Sequence, residues 1–353
     1  MFYNGAMSLD RDLHVAIVAA WARSRGRPGS AWEMLGATGV RGLRVLVESG
    51  GIDRLVSTDA GGPASHVLAE NVRRYSDRGA TSQQWDARRP VPGGPFDHVD
   101  LDPFGSPLPF LDAAFDSLAH DGLLSVTATD LIVLAGVDRA ATRRRYDANP
   151  VQGRLGPEGG LRILLRTLSD RAAARGRGIR PLVCYVRDHY IRVYVGVGSV
   201  DGAPPVGTID PLDWDGPPFR SAGPVGPMWV GPLFDGELVA GLSVPSAAAN
   251  AAALDRLLSR FREETVADVP FYYEPNLIAR DARLASPPPS EWFVSTLRAQ
   301  GHPTGRTHAR DGAFRTRAGR ELVYAAARSH GGAGDTSATA RSRSPDDPNP
   351  SPR

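Results

Sequence analysis

Short apolar segments alternate with amphipathic helical ones along the first two-thirds of this chain, and several of the apolar segments stop at an acidic residue. Residues 8–23 carry Leu13, Ile17 and Ala20 at helical spacing. Strand signals follow at 31–35, 55–58, 81–85, 96–101 and 123–128, with helical signals between them at 40–47, 63–75 and 161–174. This alternation builds βαβ units, hence a mostly parallel sheet with helices on both faces. Segments 182–186 and 190–197 read as a closing antiparallel pair, which completes a seven-stranded sheet.

Residues 201–227 hold seven prolines with little periodicity and read as a loop on the sheet's edge. Order resumes at 228–233, and 246–264 reads as a helix. Beyond residue 271 come short helices near 276–283 and 289–300. An extended pair at 306–309 and 313–316 turns at Asp311-Gly312. The expected architecture is therefore α/β, with a small winged-helix-like α+β unit at the C-terminal end. Expected divisions are 1–245, 246–328 and a disordered Gly/Ser/Pro/Arg-rich tail, 329–353.

Composition excludes several kinds of chemistry. All 41 basic residues are arginine, so neither a lysine Schiff base nor a lysine-bearing phosphate loop is available. The single cysteine, Cys184, rules out an internal disulfide framework and a multi-cysteine zinc site within one chain. No apolar run reaches membrane-span length and no signal-peptide pattern opens the chain, so a cytoplasmic enzyme is expected. With a net charge of +2, any nucleic-acid surface must be a local patch.

In an open α/β sheet, ligands bind at the carboxyl ends of the strands. The turn Gly36-Ala37-Thr38-Gly39 brings backbone close to a ligand at a helix N-terminus. Asp59 ends the second strand at the spacing of a ribose-binding acid, and Asp86 follows the third, placed to accept from an adenine amine. A third correctly spaced glycine is lacking and another acidic strand end follows, which favours S-adenosylmethionine over NAD. That later strand end reads Asp100-Leu101-Asp102-Pro103-Phe104-Gly105-Ser106-Pro107. The Asp102 carboxylate and the Pro103 carbonyl can accept both hydrogens of an exocyclic amine while Phe104 stacks on its ring. Proline there ends the ladder and frees the local backbone.

Together with Phe2-Tyr3-Asn4, Leu9-Asp10-Arg11-Asp12, Ala37-Thr38-Gly39-Val40-Arg41-Gly42, Val126-Thr127-Ala128-Thr129-Asp130, Asp188-His189-Tyr190 and Arg306-Thr307-His308, this motif makes the chain resemble the N2,N2-dimethylguanosine tRNA methyltransferase family. The resemblance runs from Phe2 to about Thr316. It implies a Rossmann-like S-adenosylmethionine-dependent catalytic domain, a C-terminal tRNA-holding domain, and methylation of the guanine at tRNA position 26. It further implies that Arg11, Arg41, Asp59, Asp86 and Ala87 line the cofactor pocket, beside Gly36, Thr38 and Gly39, and that Asp102 is the catalytic acid with Pro103 and Phe104. Phe2, Asn4, Thr129 and Asp130 are expected at the substrate. Asp130 is placed equally well for a helix cap, and His189 for a packed structural role.

The chain departs from the family pattern at Gly5, Thr58, Ala135 and the stretch before Gly160, and it opens almost at Phe2-Tyr3-Asn4. Those departures fall in regions expected to meet RNA. Two other readings therefore stay open: an enzyme of this fold acting on a small amine-bearing molecule or another RNA, and an inactive RNA-binding descendant. Arg139, Arg143, Arg144 and Arg145 are expected on one helix, either solvated or holding phosphates.

Overall fold

The computed structural model describes residues 5–332. The chain enters through α1 (Ser8–Arg25), β1 (Gly29–Glu33), α2 (Val40–Glu48), β2 (Ile52–Asp59), α3 (Gly62–Arg73) and β3 (Ala80–Gln84). It then crosses back into β4 (Phe96–Leu101), α4 (Leu111–Ser117) and β5 (Leu118–Ala128). Short α5 (Leu131–Leu134), α6 (Arg139–Tyr146) and long α7 (Gly156–Ala173) lead to the antiparallel pair β6 (Gly178–Arg187) and β7 (Tyr190–Gly198).

These seven strands form one sheet in the order β3-β2-β1-β4-β5-β7-β6, with β7 antiparallel to both neighbours. Every residue of β1 and β4 is buried, the pattern of parallel strands covered on both faces. β1 and β4 are neighbours that lead outward in opposite directions, so the crevice beyond their carboxyl ends is the topological switch point. β5 is longer than the periodicity predicts because Leu118 already pairs with Phe96, ahead of the apolar run.

The proline-rich stretch differs from expectation. Its two ends form a ladder, β8 (Val206–Ile209) against β9 (Val225–Trp229), so only the middle is a loop. Proline removes ladder donors at its own position but leaves flanking residues free to pair. Two helices follow, α8 (Gly236–Ala240) and α9 (Ala251–Thr265). α9 starts later than the sequence suggests because Asn250 caps it, accepting from the Ala253 N–H at 3.0 Å. Leu254, Leu258 and Phe261 of α9 pack in the large core with the sheet.

A second core lies between α10 (Pro275–Asp281), α11 (Ser290–Ala299), the hairpin β10 (Thr304–Arg306) and β11 (Phe314–Thr316), and α12 (Arg320–Gly332). Phe314 stacks on Phe293, with ring centres 4.6 Å apart. α12 is not foreseen in the sequence reading, and it runs into the stretch expected as a disordered tail. Residues 333–353 lie outside the described residues. Among those described, no helix is long and apolar enough to cross a membrane.

Candidate active site

Glu33 ends β1 and is buried, an unusual place for a carboxylate. Its oxygens accept from the Gly42 N–H at 2.8 Å and the Ser57 hydroxyl at 2.7 Å, and burial pushes its carboxyl up to about 7. Glycine at 42 is needed for this close approach: a Cβ there would lie 2.7 Å from Glu33 Oε2. The first turn of α2 is thereby pinned to the sheet. Gly39, at φ +75°, ends the loop that leads into it.

That loop is tied to the next strand. The Gly36 N–H donates to the Thr58 carbonyl at 2.7 Å, and the Ala37 N–H donates to Asp59 Oδ2 at 3.0 Å. The other Asp59 oxygen accepts from the Gly61 N–H at 2.9 Å. Each carboxylate oxygen carries one backbone donor and keeps acceptor capacity, which fits a ribose diol. The Thr38 carbonyl accepts from the Asn71 amide at 2.9 Å. The expected cofactor residues Gly36, Thr38, Gly39 and Asp59 thus form one cradle, whose donor set suits S-adenosylmethionine.

Asp86 follows β3, whose Gln84 pairs with Asp59. Its carboxylate grips the neighbouring Arg88 at 2.7 Å, which holds it down at about 2. Ala87 beside it is buried, as is Arg11 on α1.

Across the switch point, Arg41 in the first turn of α2 reaches Asp102, with Nη2 2.6 Å from Oδ2. Asp100, two residues earlier, is buried. Burial alone would raise its carboxyl, but the guanidiniums of Arg192 and Arg41 outweigh it and hold the group well below the usual range. Arg192 on β7 binds Asp100 and also donates to Thr127 Oγ1 at 2.7 Å. Burial keeps His14 neutral, with its Nδ1 3.0 Å from the Tyr194 hydroxyl. A small cavity lies between Asp10, Arg41, Asp102, Thr127, Tyr190 and Arg192.

The loop after β4 is fixed against the end of β5. The Gly105 N–H donates to Thr129 Oγ1 at 2.6 Å, and the Thr129 N–H donates back to the Gly105 carbonyl at 3.0 Å. The Tyr146 hydroxyl, from α6, donates to Asp130 Oδ2 at 2.9 Å and lies 3.0 Å from Ser106 Oγ. The Asp130 side chain is therefore no helix cap. Its Oδ1 is buried with no partner among the described residues. Pro103 is buried, while Phe104 is 89% exposed at the mouth. His189, expected to pack, is exposed in the turn between β6 and β7. Phe2 and Asn4 lie outside the described residues.

Sequence reasoning missed Glu33, Arg192, His14 and Tyr146. A charged residue inside an apolar strand run was the available signal for Glu33 and Arg192. Nothing local marked Tyr146, which meets Asp130 from 16 residues away.

The model for the N2,N2-dimethylguanosine tRNA methyltransferase family matches residues 1–202 and 220–328. The chain is 34% identical to a tRNA (guanine(26)-N(2))-dimethyltransferase of Thermococcus kodakarensis, covering 87% of this chain and 88% of the relative. It is 32% identical to one of Methanospirillum hungatei, covering 87% and 86% respectively. Among solved structures it resembles Trm1 from Pyrococcus horikoshii in complex with S-adenosyl-L-methionine. The TM-score is 0.77 at 29% identity, over 92% of this chain and 94% of that one. Sheet order, switch-point cradle and matched sequence agree, and the chain belongs to the N2,N2-dimethylguanosine tRNA methyltransferase family.

Proposed function

We propose that this protein transfers methyl groups from S-adenosylmethionine to the exocyclic N2 amine of the guanine at tRNA position 26, first one and then a second. The observation that carries the reading is Asp102-Pro103-Phe104 at the carboxyl end of β4, joined by Arg41 to the glycine-rich cradle after β1. The relatives it matches are named for that reaction.

When bound, S-adenosylmethionine supplies an electrophilic methyl group on a sulfonium. Asp59 takes the ribose diol, and the turn Gly36–Gly39 with Arg41 and Arg11 lines the rest of the pocket. Asp86 and Ala87 flank the adenine end. The guanine N2 lone pair is delocalised into the ring, which makes it a poor nucleophile. Asp102 and the Pro103 carbonyl accept the amine hydrogens, favouring a pyramidal nitrogen aimed at the methyl group. Orientation of this kind contributes roughly 7–11 kcal/mol in well-aligned reactions. Asp102 then receives the released proton, directly or through water. A guanine within folded tRNA must leave its stack to reach Asp102, and Phe104 replaces the lost stacking. Thr129 and Asp130 line the substrate side. Residues 246–328 supply the tRNA-holding part, and the substrate suits a cytoplasmic location.

The test is incubation of the protein with S-adenosylmethionine and unmodified tRNA, followed by nucleoside mass spectrometry. N2-methylguanosine and N2,N2-dimethylguanosine are expected, and neither from tRNA carrying adenosine at position 26. Tight cofactor binding with no transfer to tRNA would move the substrate elsewhere.

A further inference from the structure

Phe104, Ile132, Val137 and Leu212 are, among the described residues, the large apolar side chains with more than half of their surface exposed, at 89, 68, 76 and 92%. Scattered single cases need no explanation, but three of these four share one rim. Phe104 belongs to the catalytic loop. Paired hydrogen bonds between Gly105 and Thr129 bind that loop to the end of β5, and α5 with Ile132 begins two residues later. The chain then doubles back. The Asp138 N–H donates to the Ile132 carbonyl at 2.9 Å, which places Val137 beside Ile132.

The rim is rigid and basic. Tyr146, at the end of α6, bonds to both Ser106 and Asp130, stapling α6 to the two segments that carry Phe104 and α5. Thr142 of α6 donates to the Val133 carbonyl of α5. Ala141, Thr142 and Tyr146 face inward, leaving Arg143, Arg144 and Arg145 exposed. Arg143 donates to a neutral partner, Asn149 Oδ1, at 2.6 Å and so keeps its charge uncompensated. Of the acids at the two ends of α6, Asp138 is engaged as its N-cap, accepting from Ala141, and Asp147 lies 3.9 Å from Arg166.

We propose that Ile132 and Val137 form an apolar wedge that enters the RNA stack beside the target guanine and fills the gap its extrusion leaves, while Arg144 and Arg145 hold the flanking phosphates. The proposal rests on the tRNA reading above and adds a surface to it. Two side chains offer too little apolar area for a stable protein interface, but they match the size of one opened base step. The adjoining guanidiniums are complementary to a phosphate backbone. Phe104 then receives the base on the enzyme side while the wedge keeps the stack from closing.

The test uses tRNA with 2-aminopurine at position 26, whose fluorescence rises on unstacking, alongside single-turnover methylation of ordinary unmodified tRNA. The Ile132→Ser/Val137→Ser protein is expected to keep wild-type cofactor affinity and salt dependence of tRNA binding. It should lose most of the fluorescence rise and methylate about tenfold more slowly. Ile132→Leu/Val137→Leu should restore both. Arg144→Gln/Arg145→Gln should instead weaken tRNA binding and flatten its log–log salt slope by about 1.5. Wild-type fluorescence and rate in the serine variant overturn the wedge while leaving the reaction intact. A wild-type protein that transfers nothing to tRNA overturns the underlying reading itself.

Discussion

Arg41 Nη2 lies 2.6 Å from Asp102 Oδ2, so the first turn of α2 and the end of β4 meet in one charge pair across the switch point. In the proposed reaction the guanidinium stands on the cofactor side and the carboxylate on the amine side, so the pair would couple the two halves of the site. Asp102→Asn keeps the shape of the side chain but removes its charge and replaces one acceptor with a donor. We expect cofactor affinity within about threefold of wild type and single-turnover methylation slower by about 10²–10⁴. Arg41→Gln should show the opposite split, with cofactor affinity falling first. Titration calorimetry and rapid quench measure the two quantities, and a near-normal rate in Asp102→Asn would remove it from the chemistry.

Glu33 gives the fold a readable pH dependence. Its carboxyl is raised from 4.5 to about 7 by burial, so the folded state favours the protonated form. That contribution is fully present below pH 4.5, declines between 4.5 and 7, and is gone above 7. The shift corresponds to about 3 kcal/mol in total. In a Glu33→Gln protein the side-chain amide would still accept from Gly42 and would donate to Ser57 without titrating. Between about pH 4.5 and 8 the stability difference should therefore move by about 3 kcal/mol in favour of Glu33→Gln. Urea unfolding at both pH values checks this, and a constant difference refutes it.

Tyr146 holds the loop after β4 and Asp130 together through one hydroxyl. Tyr146→Phe keeps the buried ring and deletes that bridge. Asp130, one of whose oxygens is buried without a partner among the described residues, would lose a donor to the other. The expected cost is about 1–3 kcal/mol of stability, measured by denaturant midpoint. Cofactor affinity should be unchanged and methylation of tRNA slower by about tenfold, because Phe104 and Asp130 lose their fixed spacing. Equal loss of cofactor binding would show that the bridge serves the whole fold instead.

Strand positions were legible because apolar segments of strand length, bounded by turn residues and acids, leave little choice of fold. The acids at strand ends were legible as a group for the same reason: topology puts them all at one edge. Their partners were not. Asp100 and Arg192 are 92 residues apart, and no local period tells which buried charges face each other. Asp86 illustrates the reverse, since its nearest cation is Arg88, two residues away and too close in sequence to stand out. β8 and α12 were missed because proline density and a polar surface mask short elements whose order comes from what they pack against.

Arg315 shows what such hidden partners do for stability. It is buried on β11, donating to Glu264 Oε1 of α9 at 2.6 Å and to both oxygens of Glu158 on α7 at 3.0 Å. It also donates to the carbonyls of Val269 and Phe271. One guanidinium thereby joins the C-terminal hairpin to two helices packed in the sheet core. Burial would raise the Glu264 carboxyl, but His308 and Arg315 hold it well below the ordinary range. Arg315→Met fills similar volume and leaves two buried carboxylates with one cation fewer. Breaking a buried pair in this way costs about 3–5 kcal/mol at neutral pH. The sign of its pH dependence follows from the depressed carboxyls. Their contribution is present above the unfolded pKa near 4.5 and is lost as pH falls through the lower folded values. The gap between wild type and Arg315→Met should therefore be widest near about pH 7.5 and narrow toward about pH 3.5, read from urea midpoints. A gap that stays constant across that range would assign Arg315 a packing role, with its charge contributing nothing.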